Sequence, residues 1–222
     1  MSKWSIVTNW GFLFFLVGVM AACTGNKEES TRVEHLPFFN DASFTPRWID
    51  PDEITDDFHQ IPGFQLIDQH GNTITEKELD GQVTVVDFFF TSCPGICPKM
   101  MDNMLLVQEA FLENKSLQIL SHSVTPEYDS TTVLQAYAER KGIISDRWHL
   151  LTGSRSEIYN LGRNHYFIEE DLGLQKDPED FIHTENFVLI DQNRRIRGVY
   201  NGLSKSSIHQ LIIDASSLSE EN

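Results

Sequence analysis

Residues 84–104, TVVDFFFTSCPGICPKMMDNM, carry the reading from which the fold follows. The β-branched and aromatic run from Thr84 to Thr91 predicts a buried strand. It ends at Ser92-Cys93-Pro94-Gly95-Ile96-Cys97-Pro98, and a helical pattern runs from Lys99 to about Asn114. Two cysteines four residues apart therefore stand where a strand turns into a helix. With the first helical turn opening near Pro94, the i, i+4 spacing lets both sulfurs lie on one side of that turn. The partial positive charge of a helix N-terminus favours thiolate over thiol. A thiolate is both the nucleophile of disulfide exchange and a ligand for soft metals, so the stretch specifies thiol chemistry.

Outward from this stretch, strand and helix patterns alternate. Phe64–Asp68 and Gly71–Thr75 predict an N-terminal hairpin turning at His70-Gly71-Asn72. Leu117–Val124 is the next strand, Ser130–Lys141 an amphipathic helix, Trp148–Gly153 a short strand and turn, and Ser156–Asn164 a third helix. Phe187–Ile190 and Ile196–Tyr200 predict a second hairpin, and Ser204–Ser216 a last helix. The alternation implies an α/β domain with a central sheet flanked by helices. The expected organisation is a signal over 1–22, a tether and arm over 23–58, one domain over 59–216 and a short tail over 217–222.

The first segment reads as a signal rather than as fold. Lys3 gives a positive end, and the apolar run Trp10–Ala22 is shorter than the ~20 residues that span a bilayer. Met20-Ala21-Ala22-Cys23 resembles a bacterial lipobox, which implies lipidation at Cys23; the alternative is an uncleaved anchor extending back to Ser5. Either way the domain is expected outside the cytoplasm, in the cell envelope, tethered to a membrane. Setting Cys23 aside leaves Cys93 and Cys97, a pair able to cycle between dithiol and disulfide and too few for a disulfide scaffold. Without the signal the chain carries a net charge of −17, which argues against nucleic acid as a partner. Acidic residues gather at Glu169-Glu170-Asp171 and at Asp177, Glu179 and Asp180, just ahead of His183.

Cys-x-x-x-Cys is wider than the Cys-x-x-Cys of disulfide oxidoreductases. Two thiolates leave a structural zinc site incomplete, whereas Cu(I) accepts two or three soft ligands. Met100, Met101 and Met104 offer thioethers close by, although methionines at helical spacing more often pack a core. Among the histidines, His122 ends the neighbouring strand and His183 precedes another, and composition and spacing do not choose between them. Asp87, six residues before Cys93, is placed to lie beneath the thiols, where burial would raise its pKa and suit it to proton transfer.

Thr91-Ser92-Cys93-Pro94-Gly95-Ile96-Cys97-Pro98 resembles the signature of the Sco/SenC family, and the similarity extends from about Ile61 to Leu211. Ser123–Ser130, Trp148–Gly153 and His183-Thr184 with Phe187–Asp191 resemble further family segments. The resemblance implies a thioredoxin-like fold and a membrane-tethered copper chaperone that helps assemble the dinuclear copper centre of cytochrome c oxidase. It implies Cys93, Cys97 and His183 as ligands for Cu(I) or Cu(II). The implied partners are the copper-bearing oxidase subunit and a reductant or copper donor protein, with the domain on the periplasmic side of the inner membrane. Gly95, Thr125 and Ile182 stand where the family often has Asp, and none of the three is a ligand position. Asp87 matches the buried Asp of thioredoxins. That keeps a second function open: a thiol–disulfide oxidoreductase with Cys93 as nucleophile and Cys97 as resolving thiol.

Overall fold

Strand β3 (Val83–Phe89) is buried on both faces along its whole length because it holds the centre of a five-stranded sheet. The computed structural model describes residues 35–55, 57–168 and 181–221. The signal with Cys23, the tether before His35 and the acidic run 169–180 lie outside them. The elements in chain order are β1 (Gln65–Ile67), β2 (Thr73–Thr75), β3, α1 (Cys97–Ala110), β4 (Leu117–Ser123), α2 (Thr131–Lys141) and β5 (Trp148–Leu151), then α3 (Arg155–Asn160), β6 (Asn186–Ile190), β7 (Ile196–Asn201) and α4 (Lys205–Glu220). Sheet order is β5-β4-β3-β6-β7. The β3–β4 and β4–β5 pairs are parallel, and β6 runs antiparallel to both β3 and β7. The sheet is therefore mixed. The expected hairpin forms, but β1 and β2 make a separate two-stranded sheet, bridged through Ile67 to Thr152 just past β5.

The two-residue period of a strand sorts the core into two layers. Val83, Val85 and Phe89 of β3 join Met100, Met104 and Val107 of α1, Leu134 and Tyr137 of α2, and Ile208 and Leu211 of α4. Val86 and Phe88 turn the other way, toward Leu66 and Ile74 of the hairpin and Ile158 and Tyr159 of α3. Three helices thus cover one face, and the hairpin and α3 cover the other. Helix boundaries follow local chemistry. Ser130, Ser154 and Ser204 cap α2, α3 and α4 through their side chains, and Gly142 ends α2 at φ 74°. The last helix continues past Ser216 to Glu220, because Leu218 is still fully buried in the helical layer. The helical pattern over 156–164 divides into α3 and a π turn, Leu161–His165.

The arm lies against the β7 edge. Phe38 and Arg47 exchange backbone hydrogen bonds at 2.9 Å, and the Phe39 N–H donates to Ile196 O at 3.0 Å. Arg197 holds it there: its Nη2 donates to Leu36 O at 2.8 Å, its guanidinium lies 4.0 Å above the Phe38 ring, and its Nη1 meets Asp191 Oδ2 at 3.2 Å. Among the described residues no helix is long and apolar enough to cross a membrane.

Candidate functional site

Beyond β3 the chain turns through Thr91–Ile96, and α1 begins at Cys97 rather than near Pro94. Pro98 accounts for the shift: it lacks an N–H and has the φ of a first helical turn, so it settles at the helix start. Cys93 consequently sits in the turn, partly exposed, and Cys97 is the first helical residue, buried. Both thiols are free. Burial pulls against ionisation of Cys93, yet the Cys97 thiol and the backbone N–H groups of Cys97, Gly95 and Ile96 outweigh it and bring its pKa below the usual thiol value. These amides are the unpaired donors of a helix N-terminus, aimed at a sulfur. Burial, followed by the neighbouring Cys93, pushes Cys97 up to about 12. Cys93 is thus the ready nucleophile and Cys97 the sheltered partner.

A cavity of about 330 Å³ opens over the pair. Phe88, Phe90, Val124 and Ile182 supply apolar wall, and His183 and Thr184 stand on its rim beside Cys93 and Cys97. His183 is exposed, with its ring tilted against Phe181 at 4.8 Å between centroids. Phe181 in turn sets its edge on Phe90 at 5.4 Å. The fold therefore brings all three expected ligands to one cavity. Among the described residues, however, no three of His, Cys, Asp or Glu stand close enough together to hold a metal ion.

Asp87 lies in the middle of β3, 1 % exposed, facing the helical layer. It accepts a hydrogen bond from Ser121 Oγ, its register partner on β4, and Ser121 Oγ accepts one from Trp148 Nε1 at 2.8 Å. Burial raises its pKa to about 7, and the Ser121 hydrogen bond only moderates the rise. Its charge is felt by Cys97, whose pKa it helps to raise.

His122 does not reach the cavity. One residue along from Ser121, it points to the opposite layer, fully buried and stacked on Phe88 at 4.9 Å. Burial lowers its pKa to about 4, and backbone groups of Leu120 and Asp87 only moderate the fall. Met100, Met101 and Met104 are buried in the helical layer and line no part of the cavity. Sequence reading missed the aromatic contact Phe90–Phe181–His183, for which spacing gives no signal. It also missed the role of Asp129, buried in the loop between β4 and α2. Asp129 accepts from Thr91 N–H at 3.2 Å, Thr91 Oγ1 at 2.5 Å, Ser123 Oγ at 2.6 Å and Thr125 Oγ1 at 3.1 Å. The hydroxylic residues flanking Asp129 were the available clue.

Comparison with known proteins agrees with this architecture. Residues 52–215 match the SCO1/SenC family profile. A SCO1/SenC family lipoprotein from Bacillus anthracis is 33 % identical, with a TM-score of 0.64, covering 73 % of this chain and 96 % of that one. BsSco, a member of the Sco family of cytochrome c oxidase assembly proteins in which a disulfide switch was identified, is 29 % identical, with a TM-score of 0.62 and coverage of 74 % and 95 %. The copper-bound ScoI of Bradyrhizobium japonicum is 25 % identical, with a TM-score of 0.56 and coverage of 71 % and 98 %. The mixed sheet flanked by helices, with its antiparallel hairpin, is the thioredoxin-like fold that these relatives share.

Proposed function

Because the chain belongs to the SCO1/SenC family, we propose that it handles copper in the assembly of cytochrome c oxidase. The observation that carries this reading is the meeting of Cys93, Cys97 and His183 at one cavity. The donor set fits the ion: two sulfurs and an imidazole are soft enough for Cu(I) and are one ligand short of a structural zinc site. Cys93 and Cys97 hold the cargo, and His183 closes on it from the rim. The rim position of His183 is consistent with release, since a ligand that moves away leaves a two-sulfur site open to competing thiolates. The recipient is the copper-bearing oxidase subunit, and a donor or reductant protein supplies the other side of the cycle. Cys23 carries the lipid that keeps the domain at the outer face of the inner membrane.

The first test is an anaerobic Cu(I) titration of the reduced protein, in parallel with Cys93→Ser/Cys97→Ser and His183→Ala variants. One-to-one binding is expected in the parent and lost in the double variant. His183→Ala is expected to bind at least tenfold more weakly and still to form the Cys93–Cys97 disulfide. Equal affinity in His183→Ala would overturn the ligand set.

A second reading, thiol–disulfide exchange, is favoured by one specific observation: the unequal thiols with Asp87 behind the higher one. Attack by Cys93 on a partner disulfide forms one S–S bond and releases a partner thiolate. Cys97, losing its proton, then displaces the second partner sulfur and forms the internal disulfide, so the two electrons gained by the partner come from this pair. The two functions use the same sulfurs in the same reduced state.

A further inference from the structure

Cys97 and Cys93 are held by different means. Cys97 is part of α1 and moves only with that helix, which packs on the sheet through Met100, Met104 and Val107. Cys93 has no element of its own. Ser92, Pro94, Gly95 and Ile96 around it are exposed, and its own N–H makes only a long hydrogen bond to Phe90 O at 3.4 Å. The nearest strong attachment is Thr91, two residues earlier, and both of its polar groups end on one carboxylate, Asp129. The remaining acceptor capacity of Asp129 goes to Ser123 at the end of β4 and to Thr125 in the loop that follows. Asp129 is 1 % exposed, and among the described residues no Lys, Arg or His forms an ion pair with it. Four N–H and O–H donors satisfy it instead, which matches the acceptor-only character of a carboxylate. A buried carboxylate loses its water and is retained only where hydrogen bonds replace that water. Here the replacements come from Thr91 in the turn after β3, Ser123 at the end of β4 and Thr125 in the loop that follows.

The geometry points to Asp129 as a positioning residue for the thiol pair: through Thr91 it fixes where Cys93 stands relative to Cys97. It touches neither sulfur. Its effect is on the effective concentration of one sulfur at the other, which governs both the closure of a disulfide and the chelation of one ion. The inference rests on the proposed function only for its metal readout; the disulfide readout is independent of it. Partners that orient metal ligands from behind typically change metal affinity 10–100-fold when removed.

The test compares the full-length protein in detergent with Thr91→Val, Thr91→Ser, Asp129→Ala and Asp129→Asn. Three quantities are measured: Cu(I) Kd, the equilibrium constant of the Cys93–Cys97 disulfide against glutathione, and Tm. Thr91→Val keeps shape and the backbone hydrogen bond while removing one donor, so it folds if any variant does. The expected result is a Cu(I) Kd about tenfold weaker and a disulfide about tenfold easier to reduce in Thr91→Val. A larger effect is expected in Asp129→Ala, and near-parent values in Thr91→Ser, which restores the hydroxyl. A lowered Tm with both constants unchanged in the folded variants would overturn the inference, because it would make Asp129 a fastening of the fold alone. If the parent itself binds no Cu(I), the copper reading falls and the disulfide constants still decide the role of Asp129.

Discussion

Asp87 is a residue whose position alone sets a pH dependence. Its folded-state pKa, raised to about 7 by burial, exceeds the ordinary carboxyl value of 3.8. The folded protein therefore holds a proton that the unfolded chain has released between those values. Stability is unaffected below about pH 4, falls as pH rises through that window, and carries the full cost of the buried charge above pH 7. From pH 5 to pH 8 the loss from this group is roughly 2–3 kcal/mol. Asp87→Asn is expected to remove most of it, whereas the opposing gain from His122, whose lowered pKa favours the folded state as pH rises over the same range, is common to both proteins. Urea unfolding should therefore show the variant's midpoint rising relative to the parent's between pH 5 and pH 8, and an equal change in both would place the pH dependence elsewhere. The Asp87 carboxylate raises the Cys97 pKa and is also placed to receive its proton, so slower disulfide formation in Asp87→Asn would assign it the acceptor role, and faster formation would leave only the electrostatic effect. At this scale much was legible in the sequence. Cys93, Cys97 and Asp87 were read from a strand, a turn and a count of six residues. His122 was misplaced as a candidate for a simple reason: it is one step out of phase with Ser121, and alternation sends it to the other side of the sheet.

Elements were legible where periodicity is long and less so where it breaks. The central strand, the cysteine turn and the second hairpin follow from β-branched runs and turn residues. The start of α1 does not, because Pro94 and Pro98 are both credible first-turn residues and their spacing does not say which of them opens the helix. The π turn is similar. Leu161–His165 continues a helical pattern, and the wider turn lets Tyr166 N–H reach Leu161 O at 2.8 Å and Ile168 N–H reach Gly162 O at 3.0 Å. Gly162 is what that turn requires: a Cβ there would lie 2.9 Å from Ile168 Cδ1 and 3.1 Å from Phe88 Cε1. The Ile168 atom is the end of a flexible side chain, whereas the Phe88 ring is held by its stack on His122. Gly162→Ala is expected to cost about 1–3 kcal/mol, measured by urea unfolding. Because Phe88 is also cavity wall, its displacement should weaken Cu(I) binding as well. A variant as stable as the parent would show that the ring shifts freely.

At the scale of the whole molecule, composition gives the acidity and the first residues carry a proposed address, whereas the joining of arm to sheet was not readable. Arg197 does that joining, and nothing in its local sequence marks it out from the neighbouring Arg194 and Arg195. The address is testable as such. Cys23→Ser is expected to move the protein from the membrane fraction to the soluble or unprocessed pool, and retention in the membrane with unchanged mobility would favour an uncleaved anchor instead. The arm has a further consequence. The outer strand on one side, β7, is met by Phe39, and on the other side Ile67 pairs with Thr152 directly after the outer strand β5. Both borders of the sheet are thereby interrupted by the chain's own backbone, which blunts them as templates for strand addition. Under the proposed function, a partner protein would meet side chains rather than a free ladder, with the apolar and sulfur-bearing mouth above α1 as its landing place. Recognition of that kind is a matter of fit between surfaces, so a change of partner could arise from a few rim residues with the sheet left untouched.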